Sequence, residues 1–82
     1  MQAIKEHMKT YKNLSGKSEV AAYELEKDGV RVSFTNQSLF RYSNQSAGRE
    51  NVSKMKVLAQ AGKGLGTFIT STVKDKFARK IR

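Results

Sequence analysis

Hydrophobic and polar residues alternate along the first half of the chain, and this period of two predicts β-strands. In residues 19–27 the side chains of Ala21, Tyr23 and Leu25 fall on one face. The opposite face then carries Val20, Ala22, Glu24 and Glu26. The pattern is typical of a half-buried strand.

An Asp28-Gly29 pair separates this strand from a second alternating run. Asp and Gly both tolerate the positive φ of a type I′ turn, so the pair predicts a β-hairpin. The second strand is predicted to bury Val30, Val32 and Phe34.

A third strand, Leu39–Ser43, follows an Asn36-Gln37-Ser38 turn and carries the aromatic pair Phe40 and Tyr42. Two aromatic side chains on one face of a strand could stack successive bases of RNA. Alternation favours the other interpretation, in which both rings face the core. Arg41 then lies on the surface, where it either pairs with a sheet glutamate or contacts phosphate.

The second half of the chain has helical periodicity. A first helix is predicted to present Val52, Met55, Leu58 and Ala59 to the core, with Ser46 as N-cap and Gly62 at its end. A last helix, capped by Thr67, has an apolar stripe of Phe68, Ile69, Thr72, Val73, Phe77 and Ile81. Gly62, Gly64 and Gly66 are interpreted as a hinge, because they follow a helix, whereas phosphate-binding loops follow a strand.

These elements predict an α+β fold, in which a three-stranded antiparallel β-meander is followed by two C-terminal helices packed on one face. Residues 1–16 are either an N-terminal helix or a flexible basic arm, since Ile4, Met8 and Tyr11 have helical spacing but no clear cap precedes them. Residues 17–82 form a single domain, as expected of a chain of 82 residues.

Composition argues against catalysis and against a metal site. The chain has no cysteine, one histidine (His7) and seven acidic residues, none of which forms a pair suited to acid–base chemistry. We therefore expect a protein that is not an enzyme and has no metal or cofactor. Because we find no signal-peptide run and no long apolar segment, we expect a soluble, cytoplasmic protein without a membrane partner.

The net charge of +9 favours a polyanionic partner. The charge is concentrated in residues 49–82, where nine basic residues accompany two acidic ones. The candidate phosphate-binding residues are Arg41, Lys54, Lys56, Lys63, Lys74, Lys76, Arg79, Lys80 and Arg82. The same residues also fit a solvated helix face with no ligand, a pattern that the helix dipole favours near a C-terminus.

The segment S-E-V-A-A-Y-E-L-E-K-D-G-V-R-V-S-F-T-N-Q-S-L-F-R-Y-S, with a later A-G-K-G-L-G-T-F junction, resembles the KTSC domain family. This family is named for its occurrence at the C-terminus of some lysyl-tRNA synthetases and also includes short free-standing bacterial proteins. Its Tyr-x-Tyr hallmark corresponds to Phe40-Arg41-Tyr42, with Phe at the first position. The resemblance covers roughly residues 17–73 and implies the RNA-binding role that has been suggested for the family.

Two functional hypotheses follow. The first is a binding module for RNA or another nucleic acid, which acts mainly through phosphate contacts from the basic helices and is largely independent of sequence. The second is a protein-interaction or structural domain that has no nucleic-acid partner.

Overall fold

The structure is a computed structural model that describes residues 8–81. Its strands are β1 (Lys9–Thr10), β2 (Val20–Glu26), β3 (Gly29–Phe34), β4 (Leu39–Ser43) and β5 (Arg79–Lys80). Its helices are α1 (Asn44–Ala47), α2 (Arg49–Ala61) and α3 (Leu65–Phe68), and a π-helical turn (Ile69–Val73) continues α3. The strands form one antiparallel sheet in the order β1-β2-β3-β4-β5.

The α+β class and the central meander of β2, β3 and β4 confirm the predicted architecture in its coarse form. The structure differs from the prediction at both edges of the sheet, where β1 and β5 are additional strands that make the predicted three-stranded sheet five-stranded. The helices lie between β4 and β5 in the chain and not at its C-terminus. Both edge strands contain only two residues, too few to produce a visible alternation in the sequence.

A β-bulge changes which residues of β2 face the core. Val20 pairs with Phe34 and Ala22 pairs with Ser33, so the bulge adds one residue to β2 at this point. The bulge turns Val20 and Tyr23 toward the same side, and they are only 2% and 7% exposed. Strict alternation had placed Val20 with the glutamates on the outer face, which is wrong, because one additional residue reverses the face of every residue beyond it.

The β2–β3 hairpin is closed by a different turn from the one predicted. Glu26 pairs with Gly29, so Lys27 and Asp28 are the central residues and neither has a positive φ. Gly29 is instead the first residue of β3 and is buried. A Cβ atom at this position would lie 2.5 Å from the carbonyl oxygen of Tyr42. The glycine is needed for the close approach of β4, not for the turn.

A capping box formed by two serines connects the sheet to the helices. Ser43 at the end of β4 is the N-cap of α1, and its Oγ accepts a hydrogen bond from the Ser46 amide at 3.1 Å. The Ser43 amide in turn donates to Ser46 Oγ at 3.0 Å. Ser46, which the sequence suggested as N-cap, is therefore the third residue of the helix. Gly48 precedes α2 and Gly62, in the left-handed conformation, ends it as predicted.

The hydrophobic core lies between the inner face of the sheet and the helices. Helix α2 buries Val52, Met55 and Ala59, and Leu58 packs beside them at half burial, which confirms the predicted stripe. The other buried members of the core are Tyr11, Val20, Tyr23, Val30, Val32, Tyr42, Ala47, Leu65, Ile69 and Val73.

The predicted last helix extends too far. Helical structure begins at Leu65, includes Thr67 as an internal residue and ends at Val73. Residues 69–73 are mostly β-branched, and hydroxyl groups of Thr70 and Ser71 bond backbone carbonyls in the preceding turn, which weakens α-helical pairing. The chain then turns into β5, where the amides of Ala78 and Ile81 donate to β4 carbonyls at 2.7 Å.

The described part of the N-terminal segment is neither a helix nor an arm. Its strand β1 pairs with β2, and Tyr11 is only 3% exposed. The Tyr11 amide donates to the Ala21 carbonyl at 2.9 Å, and its hydroxyl accepts from the Leu65 amide at 3.2 Å. Tyr11 therefore ties this segment to the same core, while the predicted position of Ile4 lies outside the described residues.

We expect Gly29→Ala to destabilise the fold by about 3 kcal/mol or more, the upper part of the range for overpacking, because the conflict with a backbone carbonyl cannot be relieved by a side-chain rotation. Gly16→Ala is the control, since Gly16 has a φ of 74° but no atom within 4 Å of an added Cβ. The control should lose only about 1–2 kcal/mol from backbone strain. Urea unfolding of the two variants measures the difference, and an equal or smaller loss for Gly29→Ala would contradict the packing argument.

Candidate functional site

A groove of about 500 Å³ opens between the inner face of the sheet and residues 64–77. Its floor is apolar and is formed by Val20, Phe34, Phe40, Tyr42, Ile69 and Phe77. Its rim is polar and carries Lys17, Glu19, Thr67, Thr70, Lys74 and Asp75. An apolar floor with a few polar groups at its edge, in this range of volume, is typical of small-ligand sites. We call this concavity the aromatic groove.

The aromatic rings of the groove are in mutual contact. The Phe40 ring centroid lies 5.6 Å from that of Phe34 and 4.8 Å from that of Phe77. Tyr42 meets Phe77 edge to face at 6.2 Å. Such pairs contribute roughly 0.5–1.5 kcal/mol each beyond the area they bury. The inward orientation predicted for Phe40 and Tyr42 is confirmed, but only Tyr42 is fully buried, and Phe40 remains half-buried at the groove.

A strained turn places two charged side chains on the rim. The π-helical turn ends where the Lys74 amide donates to the Ile69 carbonyl at 2.6 Å. Lys74 has φ 45° and ψ −112°, a conformation that costs a non-glycine residue roughly 1–3 kcal/mol. Lys74 and Asp75 both line the groove at this point. Strained backbone and π-helical turns are both frequent at functional sites.

The hydroxyl group of Tyr42 lies close to this turn and is influenced by its charge. Burial and the nearby Asp75 carboxylate raise the pKa of Tyr42 from 10.0 to about 12. The Tyr42 hydroxyl lies 3.5 Å from the Lys74 carbonyl oxygen, at the limit of hydrogen bonding. The phenol therefore remains neutral at physiological pH and cannot act there as a base.

The loop that contains the groove residue Lys17 is closed by hydrogen bonds between Asn13 and Ser18. Asn13 Nδ2 donates to the Ser18 carbonyl at 3.3 Å, and the Ser18 amide donates to Asn13 Oδ1 at 3.0 Å. Asn13 tolerates the left-handed φ of 52° that this loop requires. The sequence contains a signal for such a loop, because Asn and Ser side chains commonly bond nearby backbone groups.

A third lysine approaches the groove from β5. Lys80 pairs with Phe40 in the sheet register, and its Nζ lies 5.8 Å from the Phe40 ring centroid. This distance permits a cation–π interaction. Lys17 and Lys74 thus line the groove, Lys80 lies beside the Phe40 ring, and all three lysines are exposed.

The glycine-rich junction shapes one wall of the groove. Gly62 and Gly64 have left-handed φ values of 83° and 85°, which glycine adopts without the strain that other residues would have. A Cβ on Gly66 would lie 2.8 Å from Ser18 Oγ, so this glycine permits the close approach of α3 to the strand side of the groove. Each glycine has a structural reason to be present.

Arg41 belongs to the outer face of the sheet and not to the groove. Its Nε donates to Glu26 Oε1 at 2.7 Å, and its Nη2 donates to Asp28 Oδ1 at 3.2 Å. Of the two alternatives for Arg41, pairing with a sheet carboxylate is the one observed. Arg31 also pairs with Glu26, and Arg79 lies opposite Arg41 in the register. Three carboxylates accompany these three arginines on the outer side of the sheet, counting Glu24 opposite Arg31.

The remaining candidate lysines are dispersed. Lys56 Nζ donates to the Lys27 carbonyl at 3.2 Å, at the hairpin end of the sheet, and Lys54 is exposed on the same part of α2. Lys63 follows Gly62 at the other end of α2, and Lys76 is exposed in the turn before β5. Of the predicted residues, the structure brings Lys74 and Lys80 to the groove. Lys17, Asp75 and the rings of Phe34 and Phe77 were missed as site residues, because their proximity depends on the bulge, the turn and β5.

Within residues 8–81 no group of three His, Cys, Asp or Glu side chains is placed to hold a metal ion. His7 lies outside the described residues, and so does Arg82. In the same described part of the chain, no helix has the length and apolar character needed to cross a membrane.

No family model, no curated protein and no solved structure matches the chain. The resemblance to the KTSC family therefore remains a prediction from the sequence. The groove must be interpreted from its own geometry.

We expect the stability of the protein to fall as the pH rises from 10 toward 12. In the unfolded chain Tyr42 loses its proton near pH 10.0, but in the folded chain its pKa is about 12. Alkaline pH in this window therefore favours unfolding, while below pH 10 the contribution is fully present. Tyr42→Phe should have a flatter stability profile between pH 10 and 12 in urea unfolding. The same slope in both proteins would show that another group is responsible.

Proposed function

We propose that this protein is a non-catalytic binding module for nucleic acid, with RNA as the first candidate. The observation that carries the proposal is an aromatic groove that is lined by Lys17 and Lys74 and has Lys80 Nζ 5.8 Å from the ring centroid of Phe40. Positive charge beside exposed aromatic surface is the combination that proteins use to bind single strands. A cytoplasmic location, where RNA is abundant, is part of the same proposal.

The distribution of ion pairs supports the groove side over the outer face of the sheet. Among residues 8–81 the ion pairs involve only Arg31 and Arg41 as cations, and both use carboxylates of the outer face. Those arginines would have to exchange a carboxylate for a phosphate, with little net gain. The lysines around the groove have no such pairing with a described carboxylate, so phosphate contacts there are less costly.

This proposal changes the location of the contact that the sequence suggested. Residues 74–80 form a turn and an edge strand in place of a helix, and Lys54 and Lys56 lie toward the hairpin end of the sheet. The predicted mode of binding, through phosphate contacts from two basic C-terminal helices, is therefore not supported. The resemblance to the KTSC family, for which an RNA-binding role has been suggested, favours the same class of ligand.

A salt titration tests the proposal. A short single-stranded RNA that contacts three to five lysines should give a slope of log K against log salt of about −2 to −3.5. We expect Lys17→Glu, Lys74→Glu and Lys80→Glu in combination to weaken binding at least roughly tenfold and to flatten that slope. Fluorescence anisotropy of labelled RNA at several salt concentrations measures both effects.

The matched control replaces Lys27, Arg49 and Lys54 by Glu, which changes the net charge equally at exposed positions near the hairpin end. It should lose much less affinity. Equal losses in the two triple variants would indicate general attraction without a site at the groove. If the native protein fails to bind at low salt, the protein-interaction alternative replaces the nucleic-acid proposal.

A further inference from the structure

We propose that the aromatic groove accepts one unstacked base of a single-stranded RNA, with the phosphates on either side of that base held by Lys17 and Lys74. This inference rests on the proposed function and adds the mode of recognition. It differs from stacking of successive bases on an open sheet face, because the rings face the helical side of the sheet.

The floor of the groove offers a surface suited to a base. Phe40 is half-buried, so part of its ring lines the groove while Phe34 and Phe77 contact it at 5.6 and 4.8 Å between centroids. These neighbours hold the ring in place, so little side-chain freedom is lost when a ligand stacks on it. A volume of about 500 Å³ lies in the range of small-ligand sites.

The rim offers partners for the polar parts of a nucleotide. Lys17 and Lys74 line the groove and can supply positive charge to phosphates. The hydroxyls of Thr67 and Thr70 also line it, and hydroxyl groups can bond base edges and the ribose 2′-OH that distinguishes RNA. Glu19 and Asp75 can accept hydrogen bonds from the amino groups of bases, as carboxylates do in nucleic-acid complexes.

The backbone at Lys74 is consistent with a binding role. Its φ of 45° and ψ of −112° direct the chain out of the π-helical turn at the edge of the groove. The sequence pattern predicts an α-helix that continues through Lys74, and in such a helix Phe77 would be a helical residue. The strained turn instead allows Phe77 to reach Phe40 and Tyr42.

If the groove accepts one base, the protein must bind single-stranded RNA more tightly than duplex RNA. A base in a duplex is already stacked and paired, so it cannot enter the groove without an energetic cost. A duplex can use only the lysines. An abasic strand of equal length has the phosphates and no base, so it separates the two contributions.

The experiment uses fluorescence anisotropy to compare the binding of four ligands of equal length to the full chain. The ligands are a single-stranded RNA, its duplex, an abasic strand and a single-stranded DNA of the same sequence. The native protein should bind the single strand about tenfold more tightly than the abasic strand, since stacking on an aromatic side chain contributes that much or more. Phe40→Leu and Phe77→Leu should each reduce single-strand binding several-fold while leaving abasic binding and the salt slope unchanged. Same-sequence DNA serves as a fourth ligand and should bind more weakly than RNA.

Phe68→Leu is the matched control, because Phe68 is a half-buried core-packed phenylalanine that does not line the groove. It should leave all affinities unchanged, and thermal unfolding of the three variants identifies any that fail to fold. If Phe40→Leu disrupts folding, Phe77→Leu and the abasic comparison still test whether the groove binds a base.

Equal binding of the single strand and the abasic strand would overturn the base site alone, as would DNA binding more tightly than RNA. No binding of any strand at low salt would overturn the proposed function as well.

Discussion

Tyr42 occupies the point at which the sheet, the C-terminal segment and the groove meet. Its side chain is only 2% exposed, its ring meets Phe77, and its hydroxyl lies beside the Lys74 carbonyl. Its own carbonyl oxygen approaches so near to Gly29 that a Cβ atom there would clash. The ring of Tyr42 therefore joins β4 to the segment around Lys74 and Phe77, while the close approach of β3 and β4 depends on the absence of a side chain at Gly29.

The charges follow the two faces of the sheet. On the outer face, Arg31 and Arg41 are bound by Glu26 and Asp28, so this surface is close to electrically balanced. On the inner side, aromatic side chains form the floor of a groove whose rim carries the exposed lysines Lys17 and Lys74 together with the carboxylates of Glu19 and Asp75. A protein with a net charge of +9 thus has its chemically distinctive surface on the helical side of the sheet. For this reason we propose that a nucleic-acid ligand would bind on this side.

Local patterns predicted the elements that are long enough to have a period. The apolar stripe of α2, its end at Gly62 and the inward aromatic pair of β4 were predicted correctly, because each repeats at the spacing of its own secondary structure. The prediction of a type I′ turn at Asp28-Gly29 was wrong, because the sequence does not show whether a glycine is required for a turn or for close packing of two strands. The last helix was wrong because the apolar spacing of Phe68 to Ile81 is compatible with a helix, whereas edge pairing with β4 competes for the same residues.

From the sequence by itself, one could determine the class of the fold, the core-facing role of Tyr42 and the excess of positive charge. These follow from composition and from periods of 2 and 3.6 residues, which are local properties. Only the tertiary structure decided the bulge at Ala21, the pairing of Arg41 and the meeting of Lys17, Lys74 and Lys80 around Phe40. Those features bring together residues from different elements, such as Arg41 and Glu26, which are 15 positions apart, and their contacts depend on how the elements pack.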